Sequence, residues 1–146
     1  MSKLLLFLFT SFGFSAFCAV HEIKMLNKGS DGEKMVFEPA FLKANVGDTI
    51  KFLPVDKGHM VEGLKNPGAL PAGIKAWKGG LNKEVTVVLE KEGVYLYKCM
   101  PHMAMGMVGL VVAGKASNFD AAQKVKFTGK AKMRMDDYLK KAEALK

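Results

Sequence analysis

Arginine is all but missing from this sequence of 146 residues: Arg134 stands alone among 22 basic side chains. Nucleic-acid binders set arginines among aromatics for bidentate phosphate contacts and stacking, and nothing of that kind occurs here. Cysteine is nearly as scarce, with Cys18 and Cys99 the two present. No apolar stretch reaches the roughly 20 residues that a membrane span requires. No internal repeat and no low-complexity linker divides the chain. Acidic side chains number 14, so the net charge is +8.

Residues 1–18 read as a secretory leader. Lys3 gives the positive start, and Leu4 to Phe17 is apolar except for Thr10, Ser11, Gly13 and Ser15. Ala16 and Cys18 are the small residues at −3 and −1 for cleavage before Ala19. A lipoprotein signal is the competing reading of Cys18, and the bulky Phe17 directly before it argues against that. Residues 19–146 then form one domain by size, large enough for a single core. They keep one cysteine, Cys99, so no internal disulfide can form. A solitary thiol in an oxidising compartment is either capped by metal or a reactive liability. Without Lys3 the charge is about +7, which favours an acidic protein partner in an exported protein.

The segment Cys99-Met-Pro-His102-Met-Ala-Met-Gly-Met107 then carries most information, with His59 upstream. One thiolate, two imidazoles and one thioether form the ligand set of a blue-copper electron-transfer site. Imidazole suits Cu(II), sulfur suits Cu(I), and thiolate suits both. Cys99 ends one strand, His102 lies in the following loop and Met107 begins the next strand, so one loop supplies three ligands while His59 closes the set. Met103 and Met105 are rivals to Met107, because methionine often merely fills cores. His21, near the mature N-terminus, reads as a non-ligand.

Short strands with turn signals between them run from His21 to Gly114: His21–Leu26, Lys34–Glu38, Phe41–Ala44, Thr49–Leu53, a short one within His59–Glu62, Lys83–Leu89, Val94–Cys99 and Met107–Ala113. Asn27 to Gly32 reads as a turn, and residues 63–80 as a long irregular connection. In the sixth strand Val85, Val87 and Leu89 face one way. Such a series means an all-β sandwich or barrel. After Gly114 the composition turns helical, with Ser117 or Asn118 as cap for a short helix over Asp120–Val125 and a second helix over Ala131–Leu145. Met135, Leu139, Ala142 and Leu145 share one face of it, and Lys130, Lys132, Lys140 and Lys141 read as a solvated face.

The segments Met25-Leu-Asn-Lys-Gly29, Met35-Val-Phe-Glu-Pro39, Asp56-Lys-Gly-His59 and Cys99-Met-Pro-His102 through Gly109 resemble the cupredoxins and, among them, the pseudoazurin family, over almost the whole mature chain. Plastocyanins share the loop spacing but end near the last strand, and amicyanins use a shorter loop that would place the methionine at Met105. The resemblance implies an eight-stranded Greek-key sandwich with a two-helix C-terminal tail over residues 117–146. It implies one copper ion, cycling between Cu(I) and Cu(II), on His59, Cys99, His102 and Met107. It further implies a soluble, monomeric, periplasmic electron carrier, not an enzyme, that serves denitrification by donating to acidic redox proteins such as copper nitrite reductase or periplasmic cytochromes. Lys28, Lys57, Lys78 and Lys98 correspond to a docking ring around the exposed His102, and Met35 to a residue packed against a histidine ring near the ligand loop. Met60 stands where relatives carry an asparagine that ties two ligand loops, and Met100 where a small polar residue is frequent. The competing functions are a periplasmic copper chaperone or storage protein, motivated by the ten methionines, and an enzyme using Cys99 and His102 as a nucleophile–base pair.

Overall fold

A computed structural model describes residues 18–146, so the leader reading lies outside the described residues apart from Cys18. Eight strands form two sheets: β1 Val20–Lys28, β2 Lys34–Glu38, β3 Phe41–Ala44, β4 Thr49–Pro54, β5 Glu62–Gly63, β6 Val85–Val88, β7 Gly93–Lys98 and β8 Val108–Ala113. One sheet has the order β2-β1-β4-β6 and the other β3-β8-β7-β5. Strands β1 and β4, and likewise β3 and β8, pair in parallel; the other pairs are antiparallel. Every connection from β2 to β7 passes between the sheets, which is what closes a sandwich rather than a meander.

Side-chain alternation assigns the two faces of β7. Tyr95 and Tyr97 point between the sheets, where Tyr97 meets the rings of Phe37 and Phe52 edge-on at 4.9 and 5.0 Å. Val94 and Leu96 point to the opposite face, against helix α1, Phe119–Ala122, and helix α2, Gly129–Glu143. All six residues of β8 are buried for the same reason. A sheet buried on both faces reads as a continuous apolar run, and Val108 to Ala113 is one. Met135, Leu139 and Ala142 supply the buried face of α2, each large side chain contributing about 1.5–3 kcal/mol by leaving water. Gly109 lies opposite Tyr97 in the β7–β8 pair, and a Cβ there would stand 2.3 Å from the Tyr97 ring, so glycine is what lets the ring lie across the strand.

Several boundaries differ from the sequence expectation. Asn27 and Lys28 belong to β1, and the turn starts at Gly29; Asn27 is held extended because its N–H donates to Asp56 Oδ2 at 2.7 Å. Pro54 ends β4 from within, paired with Met25 of β1. The fifth strand is reduced to Glu62–Gly63, with His59 outside it, and Cys99 and Met107 lie just beyond their strands. Asn118 does occupy the N-cap position of α1 but makes no side-chain cap bond. Its amide group instead accepts the Val94 N–H at 2.6 Å and donates to the Val94 and Gly68 carbonyls at 3.0 Å, fastening the helix start to β7. Lys130 is not simply solvated, since it pairs with Glu33 at 2.6 Å, and Lys141 Nζ sits over the Phe41 ring.

Asp48 anchors the start of the first sheet. It is 1% exposed, and its carboxylate accepts the Asn45 and Ala19 N–H groups at 2.9 Å and His21 Nε2 at 2.7 Å. Burial alone would raise the Asp48 pKa, but the bonds from Asn45, His21 and Ala19 outweigh it and hold the carboxyl below its ordinary value. A depressed folded pKa means that the ionised group stabilises the fold above the unfolded pKa, and that this contribution fades as pH falls through the folded value. Asp48→Asn is expected to lose about 1–3 kcal/mol at neutral pH. Denaturant titrations should show the gap to the parent closing in acid; an equal gap at both pH values would rule out the ionised carboxylate as the stabilising form.

Candidate metal centre

The site lies where β7 leaves its sheet. Residues Met100–Met105 wind as a 3-10 turn, helped by Pro101 in its first positions, and Gly106 ends the turn in the left-handed region with φ 89°. Three backbone bonds close this segment on itself: the Cys99 N–H donates to the Met107 carbonyl at 2.9 Å, the Met107 N–H to the His102 carbonyl at 3.1 Å, and the His102 N–H to the Cys99 carbonyl at 3.2 Å. Cys99, His102 and Met107 are thereby fixed relative to one another.

His59 enters from the segment after β4. Its carbonyl accepts the Asn82 N–H at 2.7 Å, and the Gly58 N–H donates to Asn82 Oδ1 at 2.6 Å. Its Nε2 bonds Asn27 Oδ1 at 2.9 Å, which makes Nε2 the donor and turns the Nδ1 lone pair inward. The result is a compact cluster. Cys99 Sγ is 3.8 Å from His59 Nδ1 and 3.6 Å from His102 Nδ1, and the ligand-type atoms of all three lie within 4.8 Å of one another. The two imidazole rings stand 4.9 Å apart at 62°. His59 and Cys99 are fully buried, while His102 is half-buried.

Burial, and then neighbouring His102, push the His59 pKa down against the opposing pull of Asp56, so the imidazole stays neutral. Burial raises the Cys99 thiol, while the Met60 and His102 amides bonded to its sulfur favour the thiolate. A metal binds neutral nitrogens and the thiolate, so its arrival would displace the proton that burial otherwise keeps on Cys99. The loop methionines part company. Met107 is fully buried in the cluster that contains Cys99. Met103 packs against the helix-side core, and Met105 is 45% exposed. A sulfur–nitrogen donor set of this composition fits copper in both oxidation states.

Residues 23–114 match the family described as copper binding proteins, plastocyanin/azurin family. The chain is 50% identical over 121 residues to a pseudoazurin of Paracoccus pantotrophus, covering 82% of this chain and 81% of that one. It is 48% identical over 115 residues to a pseudoazurin of Methylorubrum extorquens, covering 78% and 76%. The crystal structure of a pseudoazurin from Hyphomicrobium denitrificans superposes with a TM-score of 0.79 at 46% identity, over 84% of this chain and 97% of that one.

This chain belongs to the pseudoazurins.

Pseudoazurins are copper-binding electron-transfer proteins, not enzymes. His21, expected as a non-ligand, is engaged by Asp48 and stands outside the cluster. Lys28, Lys57 and Lys78 are exposed, whereas Lys98 is half-buried and paired with Glu62 at 3.2 Å. Met35 packs against the cluster that holds Cys99 and Met107. Asn82 fastens the Gly58–His59 segment from behind through its side-chain oxygen and its backbone N–H. The sequence reading missed Asn27 and Asn82 as site supports. Asn27 was hidden in an apparent turn, and Asn82 falls between the irregular stretch and the sixth strand, where the one cue is a residue type tolerant of its φ of 58°.

Removing the Asn27 side chain frees the His59 ring. Asn27→Ala is expected to weaken copper affinity by about tenfold or more, the usual cost of losing a histidine's outer partner. Competition with a chelator reads this directly, and undiminished affinity would mean that packing alone orients the ring.

Proposed function

We propose that this protein is a periplasmic one-electron carrier that holds copper on His59, Cys99, His102 and Met107 and donates to a denitrification reductase such as copper nitrite reductase. The observation that carries the proposal is a buried thiol within 4 Å of two imidazole nitrogens, one of them on a ring that reaches the surface. Bound there, copper supplies a one-electron couple. The protein's part is to keep the donor set in one arrangement and to keep water out. The loop's backbone ring, Asn27 and Asn82 do the first; the surrounding apolar core does the second.

His102 offers the route outward. Exposed Met100, Pro101, Ala104 and Met105 surround it with apolar surface that a partner can cover and dry. Lys78 and Lys98 line a depression with Met100 and Glu62 at the edge of this patch. They suit steering of an acidic partner, as do Lys28 and Lys57, although Glu62 offsets part of the Lys98 charge. The copper-storage reading draws on the same methionines, but their side chains diverge between two cores and solvent instead of meeting at one metal.

Export fits the fold as well. Cleavage after Cys18 would leave the Ala19 α-amino group at the position where its nitrogen lies 2.9 Å from Asp48 Oδ1. Among the described residues no helix is long and apolar enough to cross a membrane.

The protein loaded with Cu(II) should show an intense thiolate–copper absorption that bleaches with ascorbate and returns on oxidation, and Cys99→Ser should lack it. A colourless parent protein would sink the copper-carrier proposal. Electron donation to the acidic reductase should slow as salt rises, because screening shortens the reach of the lysines. A rate indifferent to ionic strength would remove the steering role, and an intact mass of the exported protein that starts elsewhere than Ala19 would remove the assigned cleavage point.

A further inference from the structure

The one arginine of the chain lies on α2, yet it bonds to two distant segments that border the metal centre. Arg134 Nη1 donates to the Gly106 carbonyl at 2.7 Å and the Met35 carbonyl at 2.9 Å. Arg134 Nη2 donates to Glu33 Oε2 at 2.7 Å and the Lys34 carbonyl at 3.2 Å. The side chain is 12% exposed; its two Nη1 bonds are partly buried, and its two Nη2 bonds lie at the surface. Gly106 is the residue that terminates the ligand turn in the left-handed region and hands the chain to Met107. Met35 is itself in the left-handed region, at φ 51°, which a long side chain rarely adopts. A backbone held in such a conformation persists because its surroundings over-determine it. Here two consecutive carbonyls, of Lys34 and Met35, are gripped by one guanidinium.

We propose that Arg134 is a positioning residue for the copper site, setting the placement of Met107 and Met35 through the Gly106 and Met35 carbonyls. The planar fork matters: four N–H groups reach four acceptors on two segments, a geometry that a lysine ammonium cannot reproduce. The helical tail is therefore more than a cover for the second sheet, because its one guanidinium also clamps the end of the ligand loop. A second contact reinforces the approach, since Lys130 one turn earlier on α2 pairs with the same Glu33. The Glu33 pair is exposed on its acid side and serves as the natural control, because it can be removed while both Nη1 contacts stay.

This inference rests on the copper reading above, and the test separates the two. Arg134→Ala, Arg134→Lys and Glu33→Gln are loaded with Cu(II), and their visible and EPR spectra and reduction potentials are compared with the parent. The expected result is a shift in the ratio of the thiolate–copper bands and in the copper hyperfine splitting for Arg134→Ala, a smaller shift of the same kind for Arg134→Lys, and the parent's spectrum for Glu33→Gln. A helix-fastening role alone would lower the melting temperature and leave the spectra and potential unchanged. Folded Arg134→Ala with the parent's spectrum would overturn the proposal; if that variant does not fold, an unaltered spectrum in Arg134→Lys would do so. A Glu33→Gln spectrum matching that of Arg134→Ala would also overturn it, since the ion pair and not the carbonyl contacts would then set the site. A parent protein with no thiolate–copper band would remove the copper reading and this inference together.

Discussion

The loop that binds itself is the constraint on which the rest depends. Cys99, His102 and Met107 are joined in a ring of three backbone bonds, with Gly106 in a left-handed conformation to close it. A buried imidazole and a buried thiol are unfavourable tenants of an apolar core unless each polar atom has a partner. The amides on the Cys99 sulfur, Asn27 on His59 and the close approach of sulfur and imidazole supply those partners. Two-state redox chemistry benefits from ligands that stay put when the charge on the metal changes, and a loop closed by its own backbone has few ways to move.

Around that loop, the two cores divide the work. The inter-sheet core, with Tyr97 wedged between Phe37 and Phe52, carries Cys99 and Met107 at its edge and keeps water from them. The helix-side core buries the other face of β7 and β8. Strands covered on both faces are the stiffest part of such a sandwich, and they are the strands that flank the ligand loop. The tail extends this support by reaching around to Gly106 and Met35 with one side chain. Stiffness at the site thus comes from several layers, of which the donor atoms are the innermost.

Much of this was legible in the residues. The alternation of Val85, Val87 and Leu89, the apolar run of β8 and the helical spacing of Met135, Leu139 and Ala142 all took the form that burial imposes. The cysteine, histidines and methionine were legible because few residue types bind copper and their spacing fits one loop. What escaped notice were groups whose role is set by distant partners. Asn118 sat where a cap belongs but bonds β7 and Gly68 instead. Asn82 and Asn27 bond the segment and ring of His59 from 24 and 32 residues away. Lys130, placed by pattern on a solvated face, meets Glu33 because the strands bring that turn to the helix.

The sequence by itself determined the class of strand and helix, the location of the buried faces and the chemical identity of the donor set. These depend on side-chain type and short-range period, which survive without knowledge of the fold. Tertiary structure alone decided which nitrogen of His59 turns inward, that Asn27 and Asn82 support that residue, and that a helix residue, Arg134, touches the ligand loop. Each of those outcomes is fixed by hydrogen bonds and packing between segments far apart in the chain. A linear pattern carries no record of such distances until the sheets have brought them together.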